Sequence, residues 1–278
     1  MILTPHKSLW KPVLGRQIAQ PDPGLVGYWL LNENGGNLVH DLSGNRNHGT
    51  ITGATWVSWK FGPCLSFDGS GDYVSVGDPS IVDFGVGNFA ISIWYARANA
   101  FDKYSSILGK DASGQRQLGF EYQNQVGAYW GPTLTIGSGT TTWTNYIGNS
   151  YGNDTLWHHV VCQRVGNTVE IYFDGISRTV STVGTALTMV SGTAPLWFGA
   201  RSYTGSNQYF NGQISSVEFY NRALTPAEIR REYEDPYWRF RREPIELWTA
   251  AMVGGGSPPT FKPAWAVRRR QTIGSGVI

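Results

Sequence analysis

Residues 157–175, Trp-His-His-Val-Val-Cys-Gln-Arg-Val-Gly-Asn-Thr-Val-Glu-Ile-Tyr-Phe-Asp-Gly, constrain the fold more than any other stretch of the chain. Two runs rich in β-branched and aromatic residues flank Gly166-Asn167, a dipeptide suited to a two-residue hairpin loop with positive φ. The second run alternates, with Val169, Ile171 and Phe173 on one face and Glu170, Tyr172 and Asp174 on the other. The first is apolar on both faces, as in a strand buried inside a stack of layers. Asp174-Gly175 supplies the next turn. The stretch therefore predicts the central hairpin of an antiparallel sandwich.

The remaining body reads the same way. With 35 Gly, 12 Trp, 14 Tyr and 12 Phe in 278 residues, it predicts many short strands joined by tight turns. Strands are expected around 26–31, 64–67, 73–76, 89–96, 106–110, 117–122, 126–129, 155–164, 168–173, 178–180, 196–200 and 212–220. Residues 34–55 form a long polar excursion. Residues 131–154, rich in Gly, Thr, Ser and Asn, read as a decorated surface loop. The sharper alternative is a patch in which Trp143, Tyr146 and Tyr151 stack on a sugar ring or a neighbouring subunit. One helix is specified: Thr225-Pro226-Ala227-Glu228 is a capping box with Pro at the first helical position, and Asp235-Pro236 stops it.

Two segments stand outside this body. Residues 1–24 are broken by Pro5, Pro12, Pro21 and Pro23, with Trp10 among scattered apolar anchors. Residues 236–278 hold Trp238, Trp248 and Trp265, a Gly254–Gly256 run and the Arg268-Arg269-Arg270 cluster. The tail carries 7 Lys/Arg against 2 Asp/Glu and the first 24 residues 3 against 1, whereas the body, 25–235, carries 12 against 17. Basic, aromatic arms thus flank an acidic globule, and opposite charges of this kind mate within or between molecules.

Four pieces occur in an order that resembles the laminin-G-like, concanavalin A-like jelly roll. They are Gly27–Glu33 leading into Asp41–Gly49; Leu65–Gly69 with Asp72-Tyr73-Val74; the Trp-His-His-Val to Phe-Asp-Gly hairpin; and Phe210–Ile214 through Tyr220–Leu224. The resemblance covers residues 25 to about 235. It implies an all-β, two-sheet antiparallel jelly-roll sandwich with one short C-terminal helix, to which extended N- and C-terminal arms are added here. It also implies a structural Ca2+ in some relatives. Asp41, with Ser43, Asn45 and Asn47 in one loop, supplies the hard oxygen donors such an ion takes; the alternative is that Asp41 accepts turn hydrogen bonds.

Catalytic patterns are missing from the sequence. The paired carboxylates of the fold's glucanases, Glu-x-Asp-x-Glu, do not occur, nor do nucleophile-elbow, zinc-protease or phosphate-loop motifs. His158 and His159 are adjacent on a strand, face opposite ways and cannot share a metal. Cys64 and Cys162 both lie in strand-like runs and read as buried thiols or, alternatively, as a disulfide. The opening residues lack the apolar core of a signal peptide, and no run is long enough to span a membrane.

These features predict a non-enzyme. The expected role is a structural, self-assembling or particle-docking subunit, bound to copies of itself or to a capsid-like particle through Trp10, Trp238, Trp248, Trp265 and Arg268–Arg270. The tail's Tyr-x-Asp-Pro-Tyr-Trp-x-Phe-Arg-Arg resembles those of virion-associated proteins of tailed bacteriophages, which places the assembly in a virion or an extracellular filament. The alternative is a carbohydrate-binding module or lectin-like adhesin, motivated by the fold the resemblance implies and by the aromatic, Gly/Thr-rich stretch 131–154. A chain only 15% charged and 14% aromatic suits contact with sugars or with other protein alike. One short Arg cluster does not argue for nucleic acid.

Overall fold

The computed structural model describes residues 22–240, apart from 100–103, 113–114, 126–128, 140–142, 148–151, 179–180, 183–187, 190–191 and 202–207. Strands Trp157–Val165 and Thr168–Phe173 pair antiparallel with Val165 opposite Thr168, so Gly166-Asn167 is the whole loop. Gly166 takes φ +57°, the positive value that the first central residue of such a loop needs. Val169, Ile171 and Phe173 face the core as the alternation requires.

Around this hairpin lies a nine-stranded sheet with the order Ile176–Ser177, Thr168–Phe173, Trp157–Val165, Phe89–Arg97, Asn211–Tyr220, Gly62–Asp68, Thr55–Trp59. Strand Leu25–Trp29 shares the edge of Asn211–Tyr220 with Gly62–Asp68, the first running along 217–220 and the second along 211–214, and the ninth strand, Ser181–Thr182, pairs with Thr168–Phe173. The second, eight-stranded sheet runs Trp143–Ile147, Tyr129–Gly139, Gln115–Gln125, Tyr104–Ala112, Leu196–Phe198, Tyr73–Ser75, Gly49–Thr52, Leu38–Val39. The two inner faces enclose one core, which includes Trp29, Phe67, Ile93, Phe120, Leu134, Val160, Phe198 and Phe219. This is the expected all-β sandwich.

Two stretches differ from the sequence reading. The polar excursion contains strands Leu38–Val39 and Gly49–Thr52, and Thr55–Trp59 begins at its last residue. Residues 131–154, read first as a loop, supply most of Tyr129–Gly139 and all of Trp143–Ile147, which finish one side of the second sheet. Leu134 and Ile136 insert into the core, and that contact holds a Gly/Thr-rich strand whose own propensity is weak.

The outer face of the nine-stranded sheet is covered as well, which explains the apolar character of both faces of Trp157–Val165. Helix Pro226–Glu234 lies on it. Its capping box is complete: Thr225 Oγ1 accepts from Glu228 N at 3.3 Å, and Glu228 Oε2 accepts from Thr225 N at 2.7 Å. Ile229 packs with Ala90, Val161, Tyr172 and Tyr220, a burial that contributes about 2 kcal/mol.

The chain does not leave the sandwich at Pro236. Tyr237 and Phe240 pack with Tyr28 and Leu30, and Trp238 lies under the Arg231 guanidinium, 3.6 Å from ring centroid to carbon. Arg239, 1% exposed, enters a cluster of acids. It reaches Asp22 at 2.9 Å, Glu218 at 3.0 Å and Glu232 at 2.5 Å, and also contacts the Tyr220 hydroxyl. Trp238, expected as an anchor for a neighbouring subunit, is instead held by its own domain. The reason is that Arg239 satisfies three acids from three different parts of the chain. Trp10, Trp248, Trp265, Arg268, Arg269 and Arg270 lie outside the described residues.

Candidate functional site

Four strands of the nine-stranded sheet end or begin together: Gly62–Asp68, Phe89–Arg97, Trp157–Val165 and Asn211–Tyr220. Between their ends opens a cleft of about 160 Å³ lined by Ser66, Arg97, Thr155, Trp157, Asn211 and Gln213, with Phe67, Ala96, Ala98 and Gly212 between them. Gly212 makes the geometry feasible. It stands opposite Arg97, and a Cβ there would come within 2.2 Å of the Ala96 carbonyl.

The cleft's aromatic wall is stiff. Trp157 rests on Trp59 with ring centroids 3.9 Å apart. Trp59 packs in turn on the edge of Phe61 at 4.7 Å and against Trp94 at 6.2 Å. Trp157 is half-buried and keeps surface toward the cleft. Arg97 is buried, its guanidinium carbon 3.7 Å from the Tyr122 ring centroid. Trp157 pairs with Ala96 and so shares a sheet face with Gln213 and Ser66, which sets an apolar ring beside an amide and a hydroxyl, whereas Arg97, one residue on from Ala96, turns to the opposite face.

The loop that brings Thr155 to the cleft is clamped by His158. Its Nε2 pairs with Asp154 Oδ1 at 2.8 Å and its Nδ1 with Asp174 Oδ2 at 2.9 Å. Burial pulls the His158 pKa down, but hydrogen bonds and charge from Asp174 and Asp154 outweigh it, and the net shift is upward. Asp174 Oδ1 also accepts from His159 N at 2.9 Å. His159 points to the opposite face, where Nε2 meets Ser92 Oγ at 2.8 Å between Trp94 and Tyr233. Burial lowers its pKa to about 4, so it is a neutral core residue. The two histidine rings point to opposite faces, as adjacent strand residues must.

A family model described as the concanavalin A-like lectin/glucanases superfamily matches residues 68–230, more than half of the chain. The chain belongs to this superfamily. Solved structures agree on the fold. The binding domain of Paraclostridial Mosquitocidal Protein 1 is 14% identical with a TM-score of 0.61, over 76% of this chain and 52% of that one. Domain 4 of AbnA, a GH43 extracellular arabinanase from Geobacillus stearothermophilus in complex with arabinotriose, is 20% identical with a TM-score of 0.56, over 74% and 97%. Trypanosoma rangeli sialidase in complex with sialic acid is 20% identical with a TM-score of 0.56, over 78% and 33%. The chain therefore spans about half of the mosquitocidal binding domain and a third of the sialidase. No curated protein shows significant sequence similarity to it.

Within this superfamily fold, the metal expected at Asp41 meets a poor donor set. Asp41 Oδ1 accepts from Tyr28 N at 3.0 Å and Ser43 N at 2.9 Å, and Oδ2 accepts from Asn47 N at 3.0 Å. Asn45 turns its amide nitrogen to the Val26 carbonyl at 2.8 Å. Three backbone N–H dipoles aimed at one carboxylate do the work of a cation, and a Ca2+ would have to displace them. The geometry thus favours the turn over the ion. Among the described residues, no group of three or more His, Cys, Asp or Glu is placed to hold a metal.

Of the other expected residues, Trp143 stands opposite Gly137 and Tyr146 opposite Leu134 in the second sheet, away from the cleft's four strands. Tyr151 lies outside the described residues. Cys64 and Cys162 are buried free thiols, not a disulfide. Among the described residues, no helix is long and apolar enough to cross a membrane. The cleft residues were missed as a set. One signal was present: Arg97 closes an otherwise uncharged strand, Phe-Ala-Ile-Ser-Ile-Trp-Tyr-Ala-Arg, where a charge has to have a purpose.

Proposed function

We propose that this chain is a non-enzymatic glycan-binding module, with the cleft between Trp157 and Gln213 as its binding site. The observation that carries this reading is the composition of the cleft: a braced tryptophan face opposite neutral hydrogen-bonding groups, with no carboxylate among the described lining residues. Most glycosidases use two opposed carboxyls, and the described lining residues include none. AbnA domain 4, which shares the fold, is seen with arabinotriose, and the mosquitocidal relative is itself a binding domain. At 160 Å³ the cleft is small beside the roughly 300 Å³ of drug-sized sites, so it takes one sugar unit or the end of a chain.

The test is a glycan array probed with the full chain, followed by calorimetry on the best ligand. Trp157→Ala is expected to weaken binding by about tenfold or more, since a central aromatic anchor dominates such contacts. Far-UV circular dichroism should be unchanged. Binding that survives Trp157→Ala and Gln213→Ala places the site elsewhere.

A second reading, self-assembly or docking on a virion or extracellular particle, rests on the charge division between an acidic body and a basic, aromatic tail. It is the weaker one, because Trp238 and Arg239 are already engaged by their own domain. Light scattering on the full chain and on a chain ending at residue 240 separates the two: assembly lost with 241–278 supports it.

A further inference from the structure

Residues 152–156 carry Thr155 to the cleft and lie outside the strands. Thr155 is itself exposed, so its place is set by the residues around it. Gly152, at φ +76°, crosses the Phe173 ring so closely that a Cβ would stand 2.9 Å from it. Asp154 Oδ1 accepts from Leu156 N and meets His158 Nε2, both at 2.8 Å. The other nitrogen of the same ring, Nδ1, stands 2.9 Å from Asp174 Oδ2. His158 thus ties the loop to the turn after Thr168–Phe173.

A neutral imidazole has one N–H and one lone pair. Between two carboxylates it donates to one only, and its bare nitrogen faces an oxygen of the other. The imidazolium donates to both, so the tie is whole only while the ring carries two protons. The surroundings favour that state: burial lowers the His158 pKa, but hydrogen bonds and charge from Asp174 and Asp154 outweigh it. Burial raises the Asp154 pKa, yet hydrogen bonds from His158 and Leu156 N and the charges of His158 and Arg97 bring it down. From the second sheet, Tyr122 is kept a phenol by burial. On the outer face, burial and the charge of Asp174 raise Tyr233, and His159 is neutral. Neither ring supplies the proton that His158 would lose.

We propose that His158 is a positioning residue of the cleft, whose imidazolium holds the Asp154 loop in place and whose loss of one proton releases Thr155. The loop side gives way, because Asp174 keeps a second bond, from His159 N at 2.9 Å, whereas Asp154 is left with its neighbour Leu156 N. A raised pKa means that the tie is present at low pH and is lost as pH rises through the folded value. Its effect on binding rests on the glycan reading of the cleft; the tie itself belongs to the unliganded chain.

Nitrogen-15 NMR of the full chain follows the His158 ring from pH 5 to 9, while the Thr155 methyl and Leu156 N–H signals report the loop. His158 should titrate above the ordinary histidine value of about 6.5, with both nitrogens protonated below it, and the loop signals should move with the same midpoint. Calorimetry on the best oligosaccharide from the array should show affinity falling about threefold to tenfold across that step, the range of one hydrogen bond. Asp154→Asn puts an amide, which can donate to a neutral ring, in place of the carboxylate, so it should remove the pH step. A His158 that titrates below 6.5, loop signals that ignore its titration, or a binding step that persists in Asp154→Asn overturns the positioning role and leaves the glycan site standing. If no oligosaccharide binds, the glycan reading falls, and the NMR titration alone upholds or overturns the tie.

Discussion

Glu218→Gln should make this protein more stable at neutral pH, although it removes a contact to a buried arginine. Arg239 carries one positive charge into a site that holds Glu218 and Glu232, while Asp22 is shared with Arg222 at 2.7 Å. The Tyr220 hydroxyl stands 2.5 Å from Glu218 and 2.6 Å from Glu232 but has one proton to give. A proton on Glu218 completes that pattern. Burial, with the charge of Glu232 adding to it and Arg239 opposing, pushes the Glu218 pKa up to about 8. Burial raises the Glu232 pKa, but the charge of Arg239 and hydrogen bonds from Tyr220 and Arg239 outweigh it, so its net shift is downward.

Folding at pH 7 thus takes up a proton on a group whose unfolded pKa is near 4.5. At 1.36 kcal/mol per pH unit that uptake costs about 3 kcal/mol. A raised carboxyl pKa contributes stability that is complete below the unfolded value and is lost as pH rises toward 8. The glutamine amide fills the same volume without taking up a proton. With about 1 kcal/mol allowed for an imperfect hydrogen bond, the variant gains roughly 2 kcal/mol at pH 7 and loses about 1 kcal/mol near pH 4.5. Glu232→Gln leaves Arg239 paired with Asp22 and Glu218 and takes away the charge that helps keep Glu218 protonated, so it should cost less than the roughly 3–5 kcal/mol of an unpaired buried charge. Urea unfolding of both variants from pH 4.5 to 8 measures this. A Glu218→Gln protein less stable than the parent at pH 7, with no pH trend in the difference, would refute the charge assignment.

His159 acts in the opposite direction. Its pKa near 4 lies below the ordinary histidine value of 6.5, so stability is complete above pH 6.5 and falls by about 3 kcal/mol as pH drops toward 4. Replacing His159 by Gln should remove that acid slope in the same titration. Ca2+ and chelator should leave the melting temperature unchanged, because Asp41 is saturated by N–H donors; a site filled at 100 times its dissociation constant would add about 2.7 kcal/mol and show plainly. Gly212→Ala should destabilise by about 1–3 kcal/mol, since the clash is with a backbone carbonyl that cannot rotate away, and scanning calorimetry reads it.

Most of the fold was legible because it rests on local rules. The alternation of 168–173, the loop at 166–167 and the Thr225/Glu228 capping box each encode their structure within a few residues, and each appears as expected. What escaped depends on distant partners. Tyr129–Gly139 is a strand because Leu134 and Ile136 meet the core, which a Gly/Thr-rich sequence does not announce. Trp238 and Arg239 look like a free basic arm until Asp22, Glu218 and Glu232 are brought together from the start, the last long strand and the helix. The cleft was illegible for the same reason. Ser66, Arg97, Trp157 and Gln213 are spread over nearly 150 positions and meet only where four strands end.

The most direct test of the glycan reading is a crystal structure of residues 22–240 or the full chain soaked with the best oligosaccharide from the array. The sugar is predicted to lie in the cleft, its ring against Trp157, within hydrogen-bonding distance of Gln213 and Asn211. A sugar bound instead beside Trp143 and Tyr146 on the second sheet, or a cleft that stays empty at saturating ligand, would contradict it.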